Sequence, residues 1–247
     1  MLFTKSEIKQ LIISILVLTF VFAYNDKSSS FYLPFWILNF IKFLIILSIS
    51  LIFKEFIKKS YANTYGASSE HKIWNMQRIG IRAKQRLKYK IPIGIILPIL
   101  ITIFSLGHLY FPITSESSIS SSKTKRIGRK WIHLPEWEEA KISLMGPFAS
   151  LFLVFIFKFF SYITPFSFSS IIFVNSLLAV FYMLPFPKIE GGKVFFGSKT
   201  YFILAFAFIL LSVFLINIAG ILETVILSSI LALLIALIYF WKIEKVP

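Results

Sequence analysis

The sequence predicts an all-α, polytopic membrane protein with six spanning helices and one re-entrant hairpin. Hydrophobic residues make up 57% of the 247 residues and charged residues only 15%, whereas a soluble domain is about 45–50% apolar and about 25% charged. The mean hydropathy is +0.81. These values exclude a disordered tail and an ordinary soluble enzyme, and they indicate a chain that lies mostly in lipid.

Seven apolar stretches are candidates for membrane spans, because a helix needs about 20 apolar residues to cross the hydrocarbon. We predict six spanning helices within a single membrane domain over residues 1–247, at residues 8–24, 35–58, 142–160, 169–184, 201–218 and 224–241. Lys5 and Lys9 flank the first stretch, but no small-x-small cleavage site follows it. We therefore interpret it as a retained helix and not as a signal peptide.

The remaining apolar stretch, residues 91–112, contains Pro92, Pro98 and Pro112 together with two glycines. A proline inside a helix removes a backbone hydrogen bond and costs about 3 kcal/mol. A single kinked span and a re-entrant hairpin shielded by protein are both compatible with this pattern.

The distribution of Lys and Arg favours the hairpin. If residues 91–112 re-enter, both basic loops, 59–90 and 113–141, lie on one side with the two termini, and that side is cytoplasmic. The basic residues left elsewhere are Lys27, Lys42 and Lys158. If the stretch spans, the two loops fall on opposite sides and the bias collapses. We therefore predict a multi-pass protein of the cell membrane with both termini in the cytoplasm.

The net charge of +15 is then mainly an orientation signal, so the predicted partner is the lipid bilayer and not nucleic acid. Residues 113–130 are rich in Ser and basic residues. They predict either a solvated loop or a contact with anionic lipid head groups, worth about 1 kcal/mol per nearby cation.

Three polar or helix-breaking stretches stand out from the apolar background. They are Lys54-Glu55-Phe56-Ile57-Lys58, with its continuation to Gly66, then Gly146-Pro147, and finally the segment LPFPKIEGG at residues 184–192. In order and spacing they resemble the site-2 protease family of intramembrane zinc metalloproteases. That family has an HExxH helix, a later Gly-Pro and an N-x-x-P-x-P-x-x-D-G stretch.

The resemblance assigns roles to individual residues. The positions of the two His ligands fall on Lys54 and Lys58, that of the general base on Glu55 and that of the Asp ligand on Glu190. The position of the family's Asn falls on Tyr182. Glu70 through Trp74 resemble the short strand region that follows the HExxH helix in archaeal members of the family.

Pro185, Pro187 and Gly191 match the family stretch, and the resemblance implies that they contact an extended substrate segment. The alternative for these three residues is an ordinary helix stop before a turn. For Gly146-Pro147 we favour the first turn of a helix, where proline is tolerated.

The substituted residues predict a loss of zinc chemistry. Two neutral imidazoles at positions i and i+4 can share a zinc ion, and the intervening Glu activates the metal-bound water. Lys has a pKa of about 10.4, so deprotonation at pH 7 costs about 4.6 kcal/mol. We therefore expect no metal and no cofactor, and a pseudoprotease that binds or presents transmembrane segments of other proteins.

Two other functions remain open at this point. One is an active intramembrane metallopeptidase with atypical ligands, which would use zinc. The other is a small transporter or lipid-interacting bundle. A rival register of the first motif, Ala67-Ser68-Ser69-Glu70-His71, places His71 on the second ligand position.

The charges also suggest a structural role. We hypothesise that Lys54, Lys58, Glu190 and Glu55 form an ion cluster that joins the second span to the loop at residues 185–192, since ions within a membrane need partners. The alternative is that the lysines reach cytoplasmic head groups as helix-end anchors. For Lys158, a lone cation in an apolar helix, we favour a similar reach to the outer interface.

Overall fold

The computed structural model describes residues 3–25, 32–78, 86–121 and 133–244. Its helices are α1 (Lys5–Ala23), α2 (Leu33–Thr64), α3 (Ile93–Phe104), α4 (Glu136–Ile163), α5 (Ser169–Tyr182), α6 (Glu190–Gly197), α7 (Lys199–Leu215) and α8 (Ile221–Tyr239), which a π-helical turn at Phe240–Glu244 extends. Its strands are β1 (Ala67–Ile73), β2 (Met76–Arg78), β3 (Arg86–Ile91) and β4 (Ser115–Ser121).

Four helices are long and apolar enough to cross a membrane: Lys5–Ala23, Leu33–Thr64, Glu136–Ile163 and Ile221–Lys242. Three shorter apolar helices, α3, α5 and α7, have 12, 14 and 17 residues. The prediction of a mostly helical chain with several membrane-compatible helices is confirmed at this level.

The prediction of an all-α protein is wrong in one respect, because the described chain also contains two two-stranded sheets, β1–β4 and β2–β3. They lie in the segments predicted as the basic loops 59–90 and 113–141. Alternate residues of β1 are buried, from Ala67 to Ile73, which is the period of a half-buried strand. Hydropathy does not reveal this strand, because its composition, ASSEHKI, is polar. The resemblance alone indicated a short strand here, at Glu70 through Trp74. Residues 79–85 and 122–132 of the predicted loops, including half of the Ser-rich segment at residues 113–130 and all of its basic residues, lie outside the described residues.

Helix boundaries differ from the predicted spans by up to three residues, except at two helix ends, where they differ by six. Helix α2 continues to Thr64, beyond residue 58, and α4 begins at Glu136 instead of residue 142. Hydropathy identifies only the apolar part of a helix. The first turn of α4 is acidic, and the helix dipole stabilises it. As a result, Gly146-Pro147 lies inside α4 and is buried, so the prediction of a first-turn position is wrong.

The contacts divide the chain into two compact units, Met1–Ile52 with Glu70–Ser118 and Phe53–Ser69 with Ile119–Pro247. The single membrane domain stays a prediction. In the first unit, the ring of Phe22 stacks on Phe43 and on Tyr110, with centroid distances of 5.8 and 5.2 Å. The side chain of Phe22 is almost fully buried, at 1% exposure.

The proline-rich stretch of the first unit begins and ends at the same place. The Gly94 N–H donates to the Trp74 carbonyl, and the Trp74 N–H donates to the Thr114 carbonyl, both at 2.9 Å. Gly94 lies so close to the Thr114 backbone that a Cβ would collide with it. Between these points the chain forms α3 and then turns through Leu106 and Gly107, which both have positive φ.

The second unit is built around α4, which packs against α5, α6 and α7. Its main apolar cluster comprises Leu151, Ala179, Met183, Val194, Phe202, Ala205 and Ile209. Helix α8 buries a stripe of small residues, Thr224, Ser228, Ala232 and Ala236, at the four-residue spacing that lets membrane helices approach closely. Ser212 of α7 donates to Ser228 across this contact at 3.0 Å.

Candidate functional site

The candidate site lies in the second unit, where α2 and α6 bring charged residues together against α4. The last turns of α2 supply Lys54, Glu55 and Lys58, and the first residue of α6 supplies Glu190. Lys54 and Lys58 are four residues apart, so their side chains lie on one face of α2. Helix α4 completes the site with Gly146, which faces Glu190.

The four ionisable side chains form a closed ion cluster. Lys58 Nζ donates to Glu190 Oε1 at 2.9 Å and to Glu55 Oε1 at 3.2 Å. Lys54 Nζ lies 3.3 Å from Glu190 Oε2. The exposures of Lys54, Glu55, Lys58 and Glu190 are 0%, 0%, 1% and 1%. Two ammonium groups therefore balance two carboxylates, away from solvent.

Burial makes this pairing obligatory. Removing a charge from water costs several kcal/mol, and an opposite charge at contact distance compensates only when the geometry is good. Glu190 is the centre of the cluster, because each of its oxygens faces a different lysine. The structure thus brings Lys54 and Lys58 within ion-pair distance of Glu190.

Tyr182, at the end of α5, contributes to the site without a charge. Lys54 Nζ lies 3.1 Å from the centroid of the Tyr182 ring, and the tyrosine is 1% exposed. A cation over an aromatic face is attracted by the ring quadrupole, and more strongly when desolvated. Sequence reasoning assigned Tyr182 only to the family's Asn position. An aromatic residue there, together with Lys at a ligand position, is the signal that could have identified the pair.

Gly146 provides the space for the Glu190 carboxylate. A Cβ at residue 146 would lie 2.6 Å from both carboxylate oxygens, which is inside van der Waals contact. Pro147 follows in the buried interior of α4, where a proline cannot donate a helical hydrogen bond. Gly146 therefore leaves the space that positions Glu190, a role that sequence reasoning did not assign to it.

The segment before α6 is held by a second close approach. Gly191 lies against the Met183 carbonyl and Gly192 against the Phe186 carbonyl, with no room for a Cβ at either glycine. Both glycines are buried, whereas Pro185 and Pro187 are exposed. The backbone packing of the glycines fixes the first turn of α6 and hence the position of Glu190.

The rival register is not placed on a helix. His71 lies in β1 and is fully buried. Its Nε2 lies 2.9 Å from Ser14 Oγ, and its backbone N–H donates to Glu7 Oε1 at 2.9 Å. The i, i+4 geometry of a helical zinc motif does not apply to a strand.

Zinc does not fit the residues present at the candidate site. A zinc ligand must offer a lone pair, as a neutral imidazole, a thiolate or a carboxylate does. The two ion-paired ammonium groups offer none, and both carboxylates already bind them. Across the described ranges, no group of three His, Cys, Asp or Glu side chains is close enough to hold a metal ion.

We expect Glu190→Gln to destabilise the protein by about 3–5 kcal/mol, because it leaves two buried ammonium groups with a single carboxylate. The measurement is reversible unfolding in mixed micelles. Adding Lys54→Met to the Glu190→Gln variant removes one uncompensated charge and should restore part of the loss.

Glu139→Gln is the matched control for Glu190→Gln. Glu139 pairs with Lys193 at 3.0 Å in the same unit, but their side chains are 31% and 22% exposed. An ion pair that solvent reaches contributes about 0–1 kcal/mol to stability. Equal losses for the two glutamine variants would contradict a buried, mutually dependent cluster.

No family model matches the chain, and no solved structure matches it. The chain is 30% identical over 202 residues to the "Putative zinc metalloprotease MJ0611" of Methanocaldococcus jannaschii. The match covers 78% of this chain and 84% of that protein. At this identity and coverage, the chain belongs to the same family as that zinc metalloprotease homologue.

Proposed function

We propose that this protein is a pseudoprotease of the site-2 protease type, which binds transmembrane segments of other proteins without cutting them. The observation that carries the proposal is the buried ion cluster of Lys54, Lys58, Glu55 and Glu190. Its members occupy the ligand and general-base positions of the resemblance. The cluster joins the end of α2 to the start of α6 through the pair of Lys58 with Glu190.

The state of Glu55 supports the loss of catalysis. A general base must have a lone pair within reach of the proton it removes. Glu55 is fully buried, and both of its oxygens lie 3.2 Å from Lys58 Nζ. With no zinc ligands beside it, nothing in this cluster polarises a peptide carbonyl or activates water.

An apolar cavity beside the cluster supports the binding role. It has a volume of about 280 Å³ and is lined only by apolar residues of α2, α4 and α7. Phe53 and Ile57 of the lining alternate along α2 with the residues of the ion cluster, and Met145 precedes Gly146 on α4. A helical segment in the bilayer could place one large aliphatic side chain there.

We also propose that α1, α2, α4, α5, α7 and α8 are six spans and that residues 91–112 form a re-entrant hairpin, with both termini cytoplasmic. The meeting of Gly94, Trp74 and Thr114 supports the hairpin, because the chain returns to the place from which it left. Backbone that re-enters a membrane is tolerated where protein surrounds it.

An active intramembrane metallopeptidase is the second candidate, and the name of the relative favours it. In that case zinc would have to displace the lysines from the carboxylates. The two candidates differ in one measurable property, which is the zinc content of the purified protein.

We expect the purified protein to contain no stoichiometric zinc, and the triple variant Lys54→His, Lys58→His, Glu190→Asp to bind zinc at one equivalent. The substitutions restore two imidazoles at i and i+4 and a shorter carboxylate opposite them. The measurement is metal analysis after dialysis, with and without a chelator.

Adding Glu55→Gln to the triple variant is the matched control. It should retain zinc, because Glu55 stands at the base position and not at a ligand position, while any gained peptide cleavage should be lost. Chelator-sensitive zinc and cleavage in the unmodified protein would establish the peptidase instead. A triple variant that folds and binds no zinc would contradict the register.

Filling the apolar cavity should weaken client binding. We expect Ala149→Phe to reduce the affinity for a fluorescent Leu/Ala helical peptide in nanodiscs at least tenfold, since the new ring occupies the space of the client side chain. Leu233→Phe, on an exposed face of α8, is the control. Unchanged affinity in Ala149→Phe would exclude this cavity, and no affinity in the unmodified protein would count against a binding role.

The topology can be tested with single cysteines, because the chain contains none. We expect Gln77→Cys and Ser120→Cys to react with an impermeant maleimide from one side of sealed vesicles, and Phe166→Cys from the other. All three residues are exposed. Labelling of residues 77 and 120 from opposite sides would show that residues 91–112 span the membrane.

A further inference from the structure

A second cavity lies in the second unit, around the connection from α4 to α5. It has a volume of about 710 Å³. Its walls are the last turns of α4, the connection to α5, one face of α5 and the end of α7. No residue of this cavity lines the apolar cavity beside the cluster.

The lining of this cavity has two kinds of surface. The polar part consists of one cation, several hydroxyl groups and the side-chain amide of Asn217, and none of the lining residues is acidic. The apolar part includes Ile172, Phe173, Leu177 and Val213. A cavity with both kinds of wall fits a molecule that has an anionic group and an apolar tail.

The cation is Lys158 of α4. Lysines 54, 58, 72 and 193 each have a carboxylate within 3.3 Å. Within the described ranges, the recorded contact of Lys158 Nζ is the Tyr162 ring, whose centroid is 5.8 Å away. The ammonium group is thus available to an anion in the cavity.

Hydrogen-bond donors accompany this charge. Ser167 and Ser169 share one hydrogen bond of 3.1 Å, so one of the two hydroxyl hydrogens is left for another acceptor. The side-chain amide of Asn217 also lines the cavity. Ser161 and Thr164 already donate to backbone carbonyls of α4 and add no donor.

The cavity lies where a lipid head group would be expected. Helix α4 has 28 residues and is about 42 Å long, whereas the hydrocarbon core is about 30 Å thick. Its last turns, which carry Lys158, therefore reach towards an interface in any orientation that spans the bilayer. A phosphate at Lys158 would leave an acyl chain free to follow the apolar wall of α5.

We propose that this cavity is a binding site for a phospholipid, with the phosphate at Lys158 and one acyl chain along Phe173 and Leu177. The proposal concerns a site separate from the ion cluster and does not depend on the function proposed for that cluster.

The test is native mass spectrometry of the full chain in detergent, titrated with dimyristoyl phosphatidylglycerol. Dimyristoylglycerol, which has the same chains and no phosphate, should bind at least tenfold more weakly. Inorganic phosphate in hundredfold excess should not displace the lipid. Displacement by phosphate would assign the cavity to a free anion and overturn the lipid.

Four variants localise the binding. Lys158→Gln should weaken phosphatidylglycerol binding about fivefold, the effect of one lysine near a head group, and Lys158→Arg should retain it. Ser176→Phe should block the cavity, since Ser176 lines it and is 9% exposed. Lys42→Gln, at another cation in an apolar helix, is the matched control. Equal affinities for Lys158→Gln and Lys42→Gln, or for lipid and dimyristoylglycerol, would overturn the proposal.

Discussion

The pairing of Glu190 with two lysines is the constraint on which the candidate site depends. Without this carboxylate, Lys54 would have no counter-ion in the cluster and Lys58 would keep only Glu55, and a buried charge without a partner costs several kcal/mol. The surrounding residues serve that pairing in different ways. Gly146 leaves space for the carboxylate, the Tyr182 ring supports Lys54, and Gly191 fixes the turn from which Glu190 projects.

In the function that we propose, the ion cluster connects two helices in place of a metal ion. In the site-2 protease family, which the sequence resembles, a metal ion would connect the HExxH helix to the Asp-Gly segment. Here Lys54 and Lys58 of α2 supply positive charge at the same helix positions and meet Glu190 of α6. The ion pair of Lys58 with Glu190 thereby connects α2 to α6, and the cluster offers no ligand set for a Lewis acid that would activate water.

The second unit contains two kinds of charged site. At the ion cluster every charge is matched by an opposite charge, so the site is neutral and closed. Around Lys158 the structure describes a cation beside hydroxyl and amide groups and an open apolar wall. A matched cluster stabilises the fold, whereas an unmatched cation next to a cavity is suited to an external anion. The two sites therefore have separate roles in our account.

The sequence by itself determined the class of the protein, the main apolar helices and the placement of Lys54 and Lys58 on one helix face, because these depend on composition and on the helical repeat. The tertiary structure decided the rest. Lys58 and Glu190 are 132 residues apart, and no local pattern fixes their distance or shows that a tyrosine and a glycine complete the site. Hydropathy did not reveal the polar strands or the polar ends of α2 and α4 for a related reason: contacts and end effects stabilise them, and hydropathy does not record these.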